Sequence, residues 1–130
     1  MQKRGLGLVL VAVCVMLSVA TIGCKTTIVD EGMKTEATYS MGSLEAKLAT
    51  DIDTAYKAVQ ASTRELELNT TMATKDALAA TVVARDSSDN KITIDLKSIT
   101  DKSTMLEIRV GVMGDESKSK TIYNKIKQKI

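Results

Sequence analysis

The chain has 130 residues, enough for one modest domain, with three tyrosines and neither phenylalanine nor tryptophan. Lacking histidine, it holds no Ser-His or Cys-His nucleophile, and lacking aromatic platforms it offers little on which glycans or single-stranded nucleic acid would stack. The formal charge of +2 comes from Lys3 and Arg4 alone. The other positive side chains equal the 16 Asp and Glu in number, which removes the case for a nucleic-acid partner.

The first element is an export signal. Lys3 and Arg4 precede an uncharged apolar run, Leu8 to Ala20, which ends in Thr21-Ile22-Gly23-Cys24. A basic start, a short apolar middle and a small residue before the cut are the order of a secretory signal peptide. The run from Leu6 to Gly23 is also just long enough for an uncleaved membrane helix, the competing reading. Cysteine directly after Gly23 resembles the bacterial lipobox, although Thr21 stands where that box usually has leucine. The resemblance implies cleavage of residues 1–23 and a diacylglyceryl or palmitate-bearing Cys24 as the membrane anchor. Cys14 leaves with the signal and Cys24 is acylated, so no disulfide, thiol nucleophile or cysteine metal site is expected.

Residues 24–35 are expected to be the lipidated cysteine and an aperiodic tether, with one domain over 36–130. Glu36 to Ala46 reads as a strand, with Ala37, Tyr39 and Met41 alternating against Thr38, Ser40 and Gly42. A helix should run from about Asp51 to Leu68, with Ile52, Tyr56, Val59, Thr63 and Leu66 on one face and Thr50 as its N-cap. Asn69 to Asp76 reads as a polar connection. Three alternating strands follow, carrying Leu78-Ala80-Val82-Ala84, Ile92-Ile94-Leu96 and Leu106-Ile108-Val110-Val112 on their apolar face. A last helix, about Ser117 to Lys129, turns Ile122, Ile126 and Ile130 inward, with Ser119 and Tyr123 beside them. The expected fold is α+β: an antiparallel sheet of about four strands packed on one face by two helices, in the order β-α-β-β-β-α.

The C-terminal run Ile108-Arg109-Val110-Gly111-Val112-Met113-Gly114-Asp115-Glu116, taken with Tyr39 and Gly42, resembles a family of small bacterial lipoproteins known only as a domain of unknown function. That resemblance implies the fold and the lipid anchor and no activity. It singles out Arg109, Gly111, Gly114 and Asp115 as a partner-binding or structural motif. Gly111 and Gly114 suit a tight strand-to-helix turn, and Arg109 is expected to bond Asp115 or Glu116 across it.

Other constellations are better explained structurally. Asp86, Ser88 and Asn90 imitate the start of a calcium loop, but Lys91 and Lys97 occupy the glycine and glutamate positions such a loop needs. The Gly111 to Lys120 stretch lacks the Gly-Lys-Ser/Thr ending of a phosphate loop. The terminal helix carries five lysines that read as a solvated edge or, alternatively, as a contact for anionic lipid. No enzyme activity, cofactor or metal is expected. The expectation is a non-catalytic, membrane-anchored envelope lipoprotein that binds another envelope component; the alternative is a lipid-handling or membrane-surface-binding module. Lys25 after the cysteine resembles the outer-membrane default, which gives the periplasmic face of the outer membrane as the address.

Overall fold

The computed structural model describes residues 26–29 and 36–130, so the expected signal peptide and Cys24 lie outside the described residues. The elements are β1 (Thr26–Val29), β2 (Glu36–Ser40), β3 (Ser43–Leu48), α1 (Ile52–Glu65), β4 (Asn69–Lys75), β5 (Ala79–Arg85), β6 (Lys91–Thr100), β7 (Ser103–Val110) and α2 (Glu116–Lys127). Among the described residues they form one antiparallel sheet, β1-β2-β3-β7-β6-β5-β4, with α1 and α2 on one face. The α+β class and the helix pair match the sequence expectation. The strand count does not: six strands run from β2 to β7, and the short β1 adds an edge.

Each extra strand has a physical reason. Glu36 to Ala46 is a hairpin, because Met41 (φ 53°) and Gly42 (φ 84°) form a two-residue turn with both residues left-handed. Positive φ at both positions matches the twist of the flanking strands. Asn69–Lys75 is an edge strand in which every residue is exposed, so it buries no face and shows no alternation. Thr26–Val29, read as tether, pairs with β2 from Thr26↔Tyr39 to Val29↔Glu36; four β-branched residues in a row suit an extended edge.

The covered face is built from cross-strand rows. Leu44, Ile108, Ile94 and Val82 sit side by side across β3, β7, β6 and β5, each at most 1% exposed. Ala46, Leu106, Leu96 and Ala80 form the next row. Against them α1 sets Ala55, Ala58, Val59 and Thr63, and α2 sets Ile122, Tyr123 and Ile126. Each large side chain so buried contributes about 1.5–3 kcal/mol. The α1 cap is Asp51, whose carboxylate accepts from the Thr54 amide at 3.1 Å. Thr50, expected in that role, instead offers its carbonyl to the Thr104 hydroxyl at 2.9 Å, tying the helix start to β7. The apolar stripes also stop short of expectation: Leu78, Val112 and Ile130 are 69%, 92% and 40% exposed.

Among the described residues, no helix lies on the opposite sheet face. Its middle row holds Glu45, Glu107 and Asp95 on neighbouring strands, with the Thr81 hydroxyl donating to Asp95 at 2.7 Å. Lys47, Met105 and Lys97 form the adjoining row. Among the described residues, no helix is long and apolar enough to cross a membrane.

Candidate functional site

Three connections meet at the end of the sheet where β2, β5 and β7 finish: the Met41–Gly42 turn, the Asp86–Asn90 turn and the loop from Gly111 to Asp115. The register makes them neighbours, since Ser43 pairs with Arg109, Ile92 with Val110 and Arg85 with Lys91. The two sequence motifs, Tyr39-x-x-Gly42 and Arg109 to Asp115, therefore form one unit although some seventy residues separate them.

Close backbone approach is what the glycines supply. Gly114 has φ +82°, and a Cβ there would overlap the Gly42 backbone and come within 2.6 Å of the Tyr39 hydroxyl oxygen. A Cβ on Gly42 would lie 3.0 Å from the Met113 carbonyl oxygen. Gly111 differs: nothing lies within 4 Å of its would-be Cβ, so it serves only the φ of +70° that turns the chain out of β7.

Arg109 bridges the unit by donating to the Met41 carbonyl at 3.3 Å. This corrects the expected bond to Asp115 or Glu116. Asp115 instead caps α2, accepting from the Lys118 amide at 3.0 Å, and Glu116 pairs with Lys120 at 2.8 Å. Asp86 closes its own turn by accepting from the Ser88 and Asn90 amides, both at 2.9 Å, and pairs with Lys118 at 2.8 Å. The Lys118 ammonium, then Asn90 and the turn amides, hold the Asp86 carboxyl far below the usual carboxylate range. Asp86 raises Lys118 in return. Those bonds are a turn's own, which explains the acidic stretch without a cation.

Residues 7–129 match a family described as a protein of unknown function (DUF3568). The chain belongs to that family. No curated protein matches it. The motif residues singled out from the sequence thus meet at one end of a DUF3568 domain, while Cys24 lies outside the described residues. Among the described residues, no group of three His, Cys, Asp or Glu side chains is placed to hold a metal.

The same end carries features that the sequence pattern hid. Met41, Val112 and Met113 are 93%, 92% and 90% exposed, more than any other large apolar side chain among the described residues. Beside them an open depression of about 590 Å³ is lined by Arg85, Asp89, Asn90, Lys91, Thr93, Arg109, Gly111 and Val112. Arg85 faces Asp89 at 3.4 Å, but among the described residues neither Lys91 nor Arg109 has a carboxylate at ion-pair distance. One signal of the cluster lay in the sequence: Val112-Met113 stands between two glycines, Gly111 and Gly114.

The lysines of α2 are spent differently. Lys118 and Lys120 hold Asp86 and Glu116, Lys125 and the following Lys129 both hold Glu65, and Lys127 sits 5.7 Å from the Tyr123 ring centre. Lys129 and then Lys125 keep the Glu65 carboxyl below its usual range. Their charge is largely answered within the domain, which weakens the lipid-contact reading of that helix.

Proposed function

We propose that this protein is a non-catalytic envelope lipoprotein: a signal peptide over 1–23, a lipid anchor on Cys24, and a domain that binds another envelope component. The observation that carries the binding role is the bare sheet face. Both helices of the described residues cover one side, and the other presents Glu45, Glu107 and Asp95 in one row beside Lys47 and Lys97. Like charges directly opposite one another destabilise a sheet, so a domain selected for stability alone would not line up three carboxylates. A flat charged face suits a complementary protein surface, where such groups set specificity and encounter rate. A photo-crosslinking residue in place of Glu45 should yield one discrete protein adduct in intact envelopes, and the same probe in place of Asn124 should yield none. Equal labelling from both positions, or none from either, would contradict the proposal.

Of the two lipid readings, interior lipid handling finds little support, because Leu44, Ile108, Val59, Tyr123 and Ile126 fill the space between sheet and helices. Membrane-surface contact is the second reading, favoured by the three exposed apolar side chains at one end of the sheet.

A further inference from the structure

We propose that this end docks on an anionic phospholipid bilayer, with Met41, Val112 and Met113 entering the interface and Lys91 and Arg109 meeting headgroup phosphates. The choice of a bilayer as occupant rests on the lipid-anchor reading above; the shape and charge of the surface stand without it.

Three independent observations converge. The first is a local rule broken twice at one residue. Met41 occupies a left-handed turn position that asparagine or aspartate fills more cheaply, and its apolar side chain is 93% exposed. Neither the turn nor the core gains from methionine there. Val112 and Met113 repeat the exposure on the loop that packs against that turn, so the apolar tips form a cluster on a braced support rather than scattered surface residues.

The second is charge. A bilayer-docking surface needs apolar tips ringed by cations whose charge is not already answered. Lys91 and Arg109 line the depression next to Val112 and, among the described residues, have no carboxylate partner. The carboxylates of the same end are committed: Asp89 faces Arg85, Asp86 holds Lys118, and Asp115 caps α2.

The third is the direction of β1. Its first residue, Thr26, pairs with Tyr39, two positions from Met41, so the chain enters the sheet at this same end. The two peptide links between Cys24 and Thr26 span at most about 7 Å. An acyl anchor on Cys24 is therefore only two peptide links from a strand that begins at this end, so an anchored domain can turn this end toward the lipid.

The natural chain has no tryptophan, so one introduced residue reports alone. Val112→Trp and, at the far end of the sheet, Leu78→Trp are compared in the full chain on vesicles of phosphatidylcholine with about a third phosphatidylglycerol and brominated acyl chains. Both positions are exposed, so both variants should fold; matching melting curves check this. The expected result is a blue-shifted, lipid-quenched tryptophan at position 112 and an unquenched one at position 78. Lys91→Gln should weaken vesicle binding about fivefold when phosphatidylglycerol is present and leave it unchanged on phosphatidylcholine alone. Quenching at both positions or at neither overturns the inference, as does binding indifferent to Lys91. Palmitate labelling of Cys24 is read separately: labelled protein with an unquenched tryptophan at position 112 sinks the docking surface and leaves the anchor standing, whereas quenching at 112 without labelling does the reverse.

Discussion

The far end of the sheet and the corner where the Met41–Gly42 turn meets the Gly111–Asp115 loop are built by opposite rules. At the far end, polar side chains close the turns: Asp76 accepts from the Leu78 and Ala79 amides at 2.9 and 2.8 Å, and Thr100 accepts from the Lys102 amide at 3.2 Å. Those hydrogen bonds lower the Asp76 carboxyl, and local turn chemistry accounts for most residues there, with the exposed Leu78 and Ile99 excepted. At the corner, a methionine sits left-handed at a hairpin tip, and two glycines press one backbone against another. Where residues obey turn chemistry, folding explains them. Where they break it on a supported, exposed surface, the explanation must lie outside the folded chain.

The largest effect on this contrast should come from Gly114→Ala. The added methyl combines an unfavourable φ with overlap on the Gly42 backbone, so the variant should lose about 2–4 kcal/mol in urea unfolding. Gly111→Ala meets no neighbour and should lose only about 1 kcal/mol, from its φ alone. Equal losses would mean that the loop does not rest on the hairpin.

Much of the fold was legible because burial imposes a period. β5, β6 and β7 alternate cleanly over Val82, Ile94 and Ile108, and α1 and α2 show their buried faces at helical spacing. The missed strands are those that bury little: β4 is exposed throughout and gives no alternation. The hairpin was hidden because Met41-Gly42 continues the alternation of Ala37 and Tyr39, and because Met-Gly is not a familiar turn pair. Thr26–Val29 left one trace, its unbroken β-branching. For the site, the motif residues Arg109, Gly111, Gly114 and Asp115 were visible as a pattern. The bond from Arg109 to Met41 was not, since no local spacing encodes a contact between residues so far apart in the chain.

A smaller effect separates the turn at Asp86 from its glycine-built neighbours. Asp86→Asn removes the ion pair to Lys118 that steadies α2, and it should lower the melting temperature slightly at neutral pH. Because the folded Asp86 carboxyl is held below its ordinary value of about 3.9, its contribution is present above that value and fades as pH falls further. Lys118 is shifted upward, so its share fades only as pH rises beyond the usual lysine range near 10.4. The gap between wild type and variant should therefore be flat from about pH 5 to 9 and close in acid. A gap that widens in acid would rule out the pair as its source.

The smallest change in stability carries the most information about why the two regions differ. Met41→Asn places a residue suited to the left-handed turn where the strained, exposed methionine now sits. Melting temperature and co-sedimentation with vesicles containing phosphatidylglycerol are measured on the same preparation of the full chain. If the corner is shaped for a membrane surface, melting stays level or rises while vesicle binding falls. Lower melting with undiminished binding would show instead that methionine serves the fold and that this corner has no lipid-facing role.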